Sequence, residues 1–257
     1  MSCVVALIAV CCAAQADKNA TSTVPPQFDR VGAFSEGLAV VKLKKKFGYI
    51  DTGGRLVIPL KFAGAAPFSE GLALVYTTLG MNLFGKTEGV WLFASAGYID
   101  RSGKFVIEPR LVENASKFSE GLAAFEPGAS SWGTGRWGYL NTAGKWELKP
   151  SFEIATDFSE GLAAVKISVG KEPGQKEPTY KWGYIGHTGK FVIPPQFYGA
   201  MPFSDGVAVV SEWNKYGHLH PRRCIDKEGN WVDSCPSRKP RKIPGSTPLP
   251  SGACAGQ

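Results

Sequence analysis

Histidine is scarce: the 257-residue chain holds three, and none of them recurs at a regular interval. The sequence also lacks a nucleophile-elbow motif, a phosphate-cradling glycine loop and a metal-ligand box. The commonest hydrolytic, nucleotide-dependent and metal-dependent chemistries therefore have no residues to carry them. Long apolar runs are almost missing. Residues 4–14 form the one such run, which is too short to span a bilayer. Acidic residues are absent from 236–257, where Arg238, Lys239, Arg241 and Lys242 supply four of the seven net positive charges. The rest of the chain is nearly balanced, which argues against a nucleic-acid surface and leaves the tail to touch any anionic surface. No enzymatic activity, cofactor or metal is expected.

Glycine (31) and proline (18) are plentiful, and the chain also has 15 Phe, 8 Tyr and 7 Trp, too many aromatics for a disordered polymer. Frequent turns between short strands account for both, so the expected fold is all-β. Residues 4–14 followed by Ala14-Gln15-Ala16 read as an export signal cleaved before Asp17, although no Lys or Arg precedes the run. Lipidation at Cys11 or Cys12 is the alternative. The expected organisation is a signal peptide at 1–16, a repeat domain at 17–235 and a Pro-rich basic disordered tail at 236–257, exported to the periplasm, cell surface or medium. Cys224 and Cys235 flank a hairpin turn at 227–230, which favours a disulfide between them. A zinc site with His218 and His220 is the alternative reading. Cys254, in the tail, is a free thiol or an intermolecular link.

The dominant signal is internal repetition. Phe-Ser-Glu-Gly occurs at 34–37, 68–71, 118–121 and 158–161, with Phe203-Ser204-Asp205-Gly206 as a fifth copy. Each is followed by an apolar residue and then Ala39, Ala73, Ala123, Ala163 or Ala208. A second motif alternates with the first: Phe47-Gly48-Tyr49-Ile50, Ala96-Gly97-Tyr98-Ile99, Trp137-Gly138-Tyr139-Leu140 and Trp182-Gly183-Tyr184-Ile185, then a worn copy at 223–226. A turn glycine lies five residues beyond each Tyr, and a strand and a proline follow it. From the glycine of the second motif to the next Ser-Glu-Gly glycine the distance is always 23 or 24 residues; in the other half-unit it ranges from 11 to 26. One half is thus set by packing, and the other holds a variable loop on a common side.

Alternation along 39–44 places Ala39, Val41 and Leu43 on one face and Lys42 and Lys44 on the other, a strand period. The recurrent small Ala predicts the close approach of an aromatic ring, and the glycine before Tyr predicts another chain segment packed against it. The third strand of each unit is expected to stop at its proline. Each unit is then a three-stranded antiparallel meander of about 42 residues, a length typical of β-repeat arrays.

These motifs, spaced as they are over 24–233, resemble the WG-repeat family of bacterial proteins. Trp137-Gly138 and Trp182-Gly183 carry the eponymous pair; Phe47, Ala96 and the worn copy depart from it. The resemblance implies a β-repeat module used in binding, with no catalytic residues to transfer. About five units in an open twisted stack are expected, or else a closed five-bladed ring. The acids Glu36, Glu70, Glu120, Glu160 and Asp205 are read as caps on backbone N–H groups within their own turns, against a calcium ladder as the alternative. Function is expected to lie in scaffolding or protein–protein binding through the loops 77–96, 126–136 and 168–181. Leu83, Phe84, Trp91, Phe93 and Trp132 would anchor a protein partner, unless the loops fold back and bury them. Glycan stacking on Trp91, Trp132 and Trp213 is the alternative.

Overall fold

The structure, a computed structural model, describes residues 28–83, 90–128, 136–171, 177–212, 223–233 and 235; for 78–83 and 90–93 the description is of the backbone alone. The described residues contain strands and turns and no helix. Two compact units divide at Arg110 and Leu111.

In the first unit β1 (Arg30–Ser35), β2 (Leu38–Leu43), β3 (Lys46–Asp51) and β4 (Leu56–Phe62) pair in chain order as one antiparallel sheet. After Ala63, the short β5 (Gly64–Ala65) opens the next sheet, with β6 (Ala73–Leu83) and β7 (Val90–Ile99). The strand β8 (Phe105–Ala115) holds the point of division, and its residues from Val112 on pair with β9 (Leu122–Pro127) in the second unit. There β9, β10 (Trp137–Asn141) and β11 (Trp146–Phe152) pair in chain order. Two four-stranded sheets follow: β12 (Ile154–Ala155), β13 (Ala163–Ser168), β14 (Tyr180–Ile185) and β15 (Phe191–Phe197), then β16 (Gly199–Ala200), β17 (Ala208–Ser211), β18 (Arg223–Ile225) and β19 (Trp231–Val232).

The repeat therefore has four strands, where the sequence predicts three. The added one is a two-residue strand in three of the repeats, β5, β12 and β16, too short to show any alternation. The constant half-unit is the passage from one sheet to the next, which uses a single residue: Ala63, Glu153 or Tyr198. The strand holding the proline also runs on past it, because β4 and β15 continue to Phe62 and Phe197. Both are edge strands, where a residue without an N–H costs no ladder bond.

That proline sits at a β-bulge. The register between β3 and β4 shifts on either side of Tyr49, and between β14 and β15 on either side of Tyr184. The bulge brings the edge strand against the motif glycine: a Cβ on Gly183 would lie 2.7 Å from the Ile193 carbonyl oxygen and 2.8 Å from the Pro195 nitrogen. Only glycine fits there, and the segment predicted to pack against it is the next strand of its own sheet.

The core lies between successive sheets. Tyr49, Phe62, Phe68, Ala73 and Ile99 share one cluster; Tyr139, Phe152, Phe158, Ala163 and Ile185 form its equivalent; and Tyr184, Phe197, Phe203, Ala208 and Ile225 form another. In each, the alanine of one repeat faces the tyrosine of the repeat before it. A larger side chain would push the ring out, which explains the alanine.

Candidate functional site

The recurrent polar residues meet at the junctions between repeats. Each Ser-Glu-Gly segment is a two-residue hairpin turn with both central residues at positive φ, for instance Glu160 at 57° and Gly161 at 88°. The flanking residues exchange both backbone bonds, Ser159 N–H to Leu162 at 2.9 Å and the reverse at 3.3 Å, so the glycine N–H is a donor left over. A carboxylate from the preceding repeat takes it. Gly71 N–H donates to Glu36, Gly161 N–H to Glu120 and Gly206 N–H to Glu160, with closest distances of 3.1, 3.0 and 3.0 Å. The expectation that each acid caps its own turn is corrected: these three cap the next turn. Stacking brings the following turn's glycine N–H within hydrogen-bond reach of each carboxylate.

Two further bonds cross the same junctions. Ser35, Ser119 and Ser159 donate Oγ–H to the carbonyls of Phe68, Phe158 and Phe203 at 2.7–2.8 Å. The buried Tyr49, Tyr139 and Tyr184 donate O–H to Ala66, Thr156 and Met201, each 17 residues downstream, at 2.8–2.9 Å. The same rings meet Phe68, Phe158 and Phe203 at centroid distances of 5.0, 4.9 and 4.8 Å, a spacing at which aromatic pairs attract. Burial pushes all three phenols far above their ordinary ionisation range, helped at Tyr139 by Asp157.

Basic side chains close two of the junctions. His187 Nε2 lies 3.2 Å from Glu120, and its ring stacks on Phe158 at 4.4 Å. Lys227 Nζ lies 3.2 Å from Glu160. Partial burial opposes ionisation of Glu160, but Lys227 and the N–H groups of Gly206 and Asp205 outweigh it and hold its carboxyl below the ordinary value. These acids are occupied with backbone and basic side-chain partners, and among the described residues no three His, Cys, Asp or Glu gather as a metal-binding group.

Cys224 takes the tyrosine position of the last repeat, fully buried on β18, and is joined to Cys235 across a Cα–Cα distance of 5.3 Å. Neither thiol is left for a metal; His218 and His220 lie outside the described residues. The bridge closes an eleven-residue interval and anchors β19, which is only two residues long. Loop-closure entropy assigns it about 3 kcal/mol. Reduction should therefore lower the melting temperature of the second unit, and Cys224→Ser with Cys235→Ser should match the reduced protein in a calorimetric scan.

The variable half-units differ sharply. Lys44-Lys45 closes the β2–β3 hairpin, whereas β6 and β7 stay paired for ten positions, out to Leu83 opposite Val90. Most of the segment 77–96, expected as a loop, is thus a long ladder. Leu79, Met81 and Leu83 alternate with Gly80 and Asn82, a strand period that the unequal spacing of the repeats masks as a loop. Of the expected anchors, Leu83, Trp91 and Phe93 belong to this ladder by their backbones, with Gly80 opposite Phe93 and Asn82 opposite Trp91. Phe84, Trp132 and Trp213 lie outside the described residues, as do the segment 1–27, Cys254 and the basic tail.

The sheets and junctions define a tandem array of four-stranded antiparallel β-repeats in which aromatic, glycine and acidic positions join each repeat to the next. The model of the WG containing repeat matches residues 16–47, 47–77, 97–126, 137–168 and 182–216, and the chain belongs to the WG-repeat family. No curated protein matches it. A solved structure described as that of a eukaryotic initiation factor is similar at 14% identity with a TM-score of 0.46, over 81% of this chain. The chain spans 57% of the length of that structure.

Proposed function

We propose that this chain is an exported, non-catalytic scaffold that binds a protein partner through its variable half-units. The supporting observation is the contrast between a uniform framework and its unequal excursions. Tyr, Gly, Ser and Glu of the repeats are engaged in holding neighbours together, so they support assembly and not recognition. The β6–β7 ladder is the counter-example: the Lys44-Lys45 turn shows that a repeat folds without such an extension. A structure beyond what folding needs is where a repeat array places recognition. The disulfide supports export, since such bridges persist in oxidising compartments.

The test replaces 77–95 with the four residues Leu-Lys-Lys-Lys that stand at 43–46. Far-UV circular dichroism and melting of the framework should be preserved, while a protein crosslinked to the wild-type chain in its source cell should be lost. Retention of that partner by the shortened chain, or no crosslinked protein with the wild type, refutes the reading.

A further inference from the structure

Charge is segregated along the sheet β1–β4. At the end that holds the β1–β2 and β3–β4 turns, Glu36 caps the Gly71 N–H and Asp51 is paired with Arg55 at 2.7 Å. The opposite end, closed by the Lys44-Lys45 turn, carries Arg30, Lys42, Lys44, Lys45, Lys46 and Lys61. Asp29 is the acid of 28–62 that lies there, and its carboxylate accepts the Lys44 N–H. Among the described residues none of these six bases makes an ion pair with a carboxylate. The near balance of charge along the chain hides this concentration.

The strand register sets the basic end in a row. Arg30 stands opposite Lys42, Lys42 opposite Phe47, and Phe47 opposite Phe62, one position on each of the four strands. Like charges facing each other across a strand pair weaken a sheet. The framework does not require them: the equivalent pairs are Gly64 with Tyr76, Asn114 with Glu126, Ile154 with Lys166 and Gly199 with Ser211. Lys42 Nζ lies 5.6 Å from the Phe47 ring centre and Lys61 Nζ 5.1 Å from that of Phe62, while Lys46 Nζ donates to the Lys61 carbonyl at 3.4 Å. Three of the ammonium groups are thus held in place, and ordering them around an anion costs less side-chain entropy.

We propose that this end of the β1–β4 sheet binds a linear polyanion, a flexible chain bearing phosphate groups at short, regular intervals. The row crosses four strands, about 14 Å at about 4.8 Å per step, and is a line of charge. A flat bilayer resting on the Lys44-Lys45 tip stands off Lys42, which lies two residues back, about 7 Å along the strand. A flexible chain folds over the tip and meets the whole row. Such binding draws its strength from released counterions and relief of the repulsion between Arg30 and Lys42, so it weakens steeply with salt. It is separate from recognition by the β6–β7 ladder.

The test titrates the full chain against labelled long-chain inorganic polyphosphate and follows fluorescence anisotropy at several salt concentrations. Saturable binding is expected, with log K falling against log salt at a slope near about −4, from about −0.7 for each basic contact. Lys44→Gln, Lys45→Gln and Lys46→Gln together should weaken binding at least about tenfold and reduce that slope by about 2. Lys104→Gln, Lys145→Gln and Lys190→Gln remove the same charge from other turns and should change affinity less than about twofold. Arg238→Gln, Lys239→Gln, Arg241→Gln and Lys242→Gln together should leave a binding that the changes at 44–46 still reduce. Circular dichroism checks the fold of each variant. No binding at about 0.1 M salt overturns the proposal, as does binding that survives loss of the three lysines or disappears with the tail charges. Binding to phosphatidylglycerol vesicles as tight as to polyphosphate, per phosphate, overturns it too, and means that the row meets a membrane.

Discussion

Gly183→Ala should cost about 3 kcal/mol, near the upper end for overpacking against an interior that cannot yield. The added Cβ meets the Ile193 carbonyl at 2.7 Å and the Pro195 nitrogen at 2.8 Å, both backbone atoms held by the bulge. No side-chain rotation relieves such a clash; β15 must move away from β14, taking Phe197 out of the cluster it shares with Tyr184. Gly161→Ala is the matched control. Its φ is +88°, but nothing lies within 4 Å of the new atom, so the cost reduces to the left-handed conformation, about 1–2 kcal/mol. Chemical denaturation of both variants separates the two kinds of glycine. Equal losses would mean that the strand approach is softer than the structure implies.

The contrast also explains what could be read from the sequence. Backbone geometry imposes residue types absolutely: a strand passing at 2.7 Å admits glycine, and a second positive-φ position in a tight turn favours it. Both recur, so the unit length, the turns and the constant half-unit were all visible in Gly183, Gly161 and their equivalents. The two-residue strand Ile154–Ala155 left no trace, because alternation needs more than two positions. The proline reads as a stop because the sequence does not say which strand is an edge. The role of Glu120 and Glu160 was legible in principle: a non-glycine residue held at positive φ in all five copies of a turn calls for a compensating contact. That this contact lies in the following repeat, 41 and 46 residues away, is a matter of stacking, which spacing alone does not reveal.

Alkaline pH should unfold the protein through its linking tyrosines. Tyr49, Tyr139 and Tyr184 are fully buried, and each keeps its proton on a carbonyl of the next repeat. Burial raises all three above the ordinary phenol value, so the native state holds protons that the unfolded chain would release. Stability from this source is complete below the unfolded value of about 10 and falls as pH rises beyond it, by about 1.4 kcal/mol per pH unit for each tyrosine. Two of the three lie in the second unit, which should lose about 3 kcal/mol per pH unit above 10. Ionisation and unfolding must then coincide. Phenolate absorbance should show an early phase from accessible tyrosines, then a steep cooperative step that overlays the loss of β-sheet circular dichroism. Tyr184→Phe keeps the ring against Phe203 but has no proton to lose, so its step should be shallower. Smooth titration of all eight tyrosines near pH 10 with the sheet signal intact would mean that these phenols are not the seals between repeats.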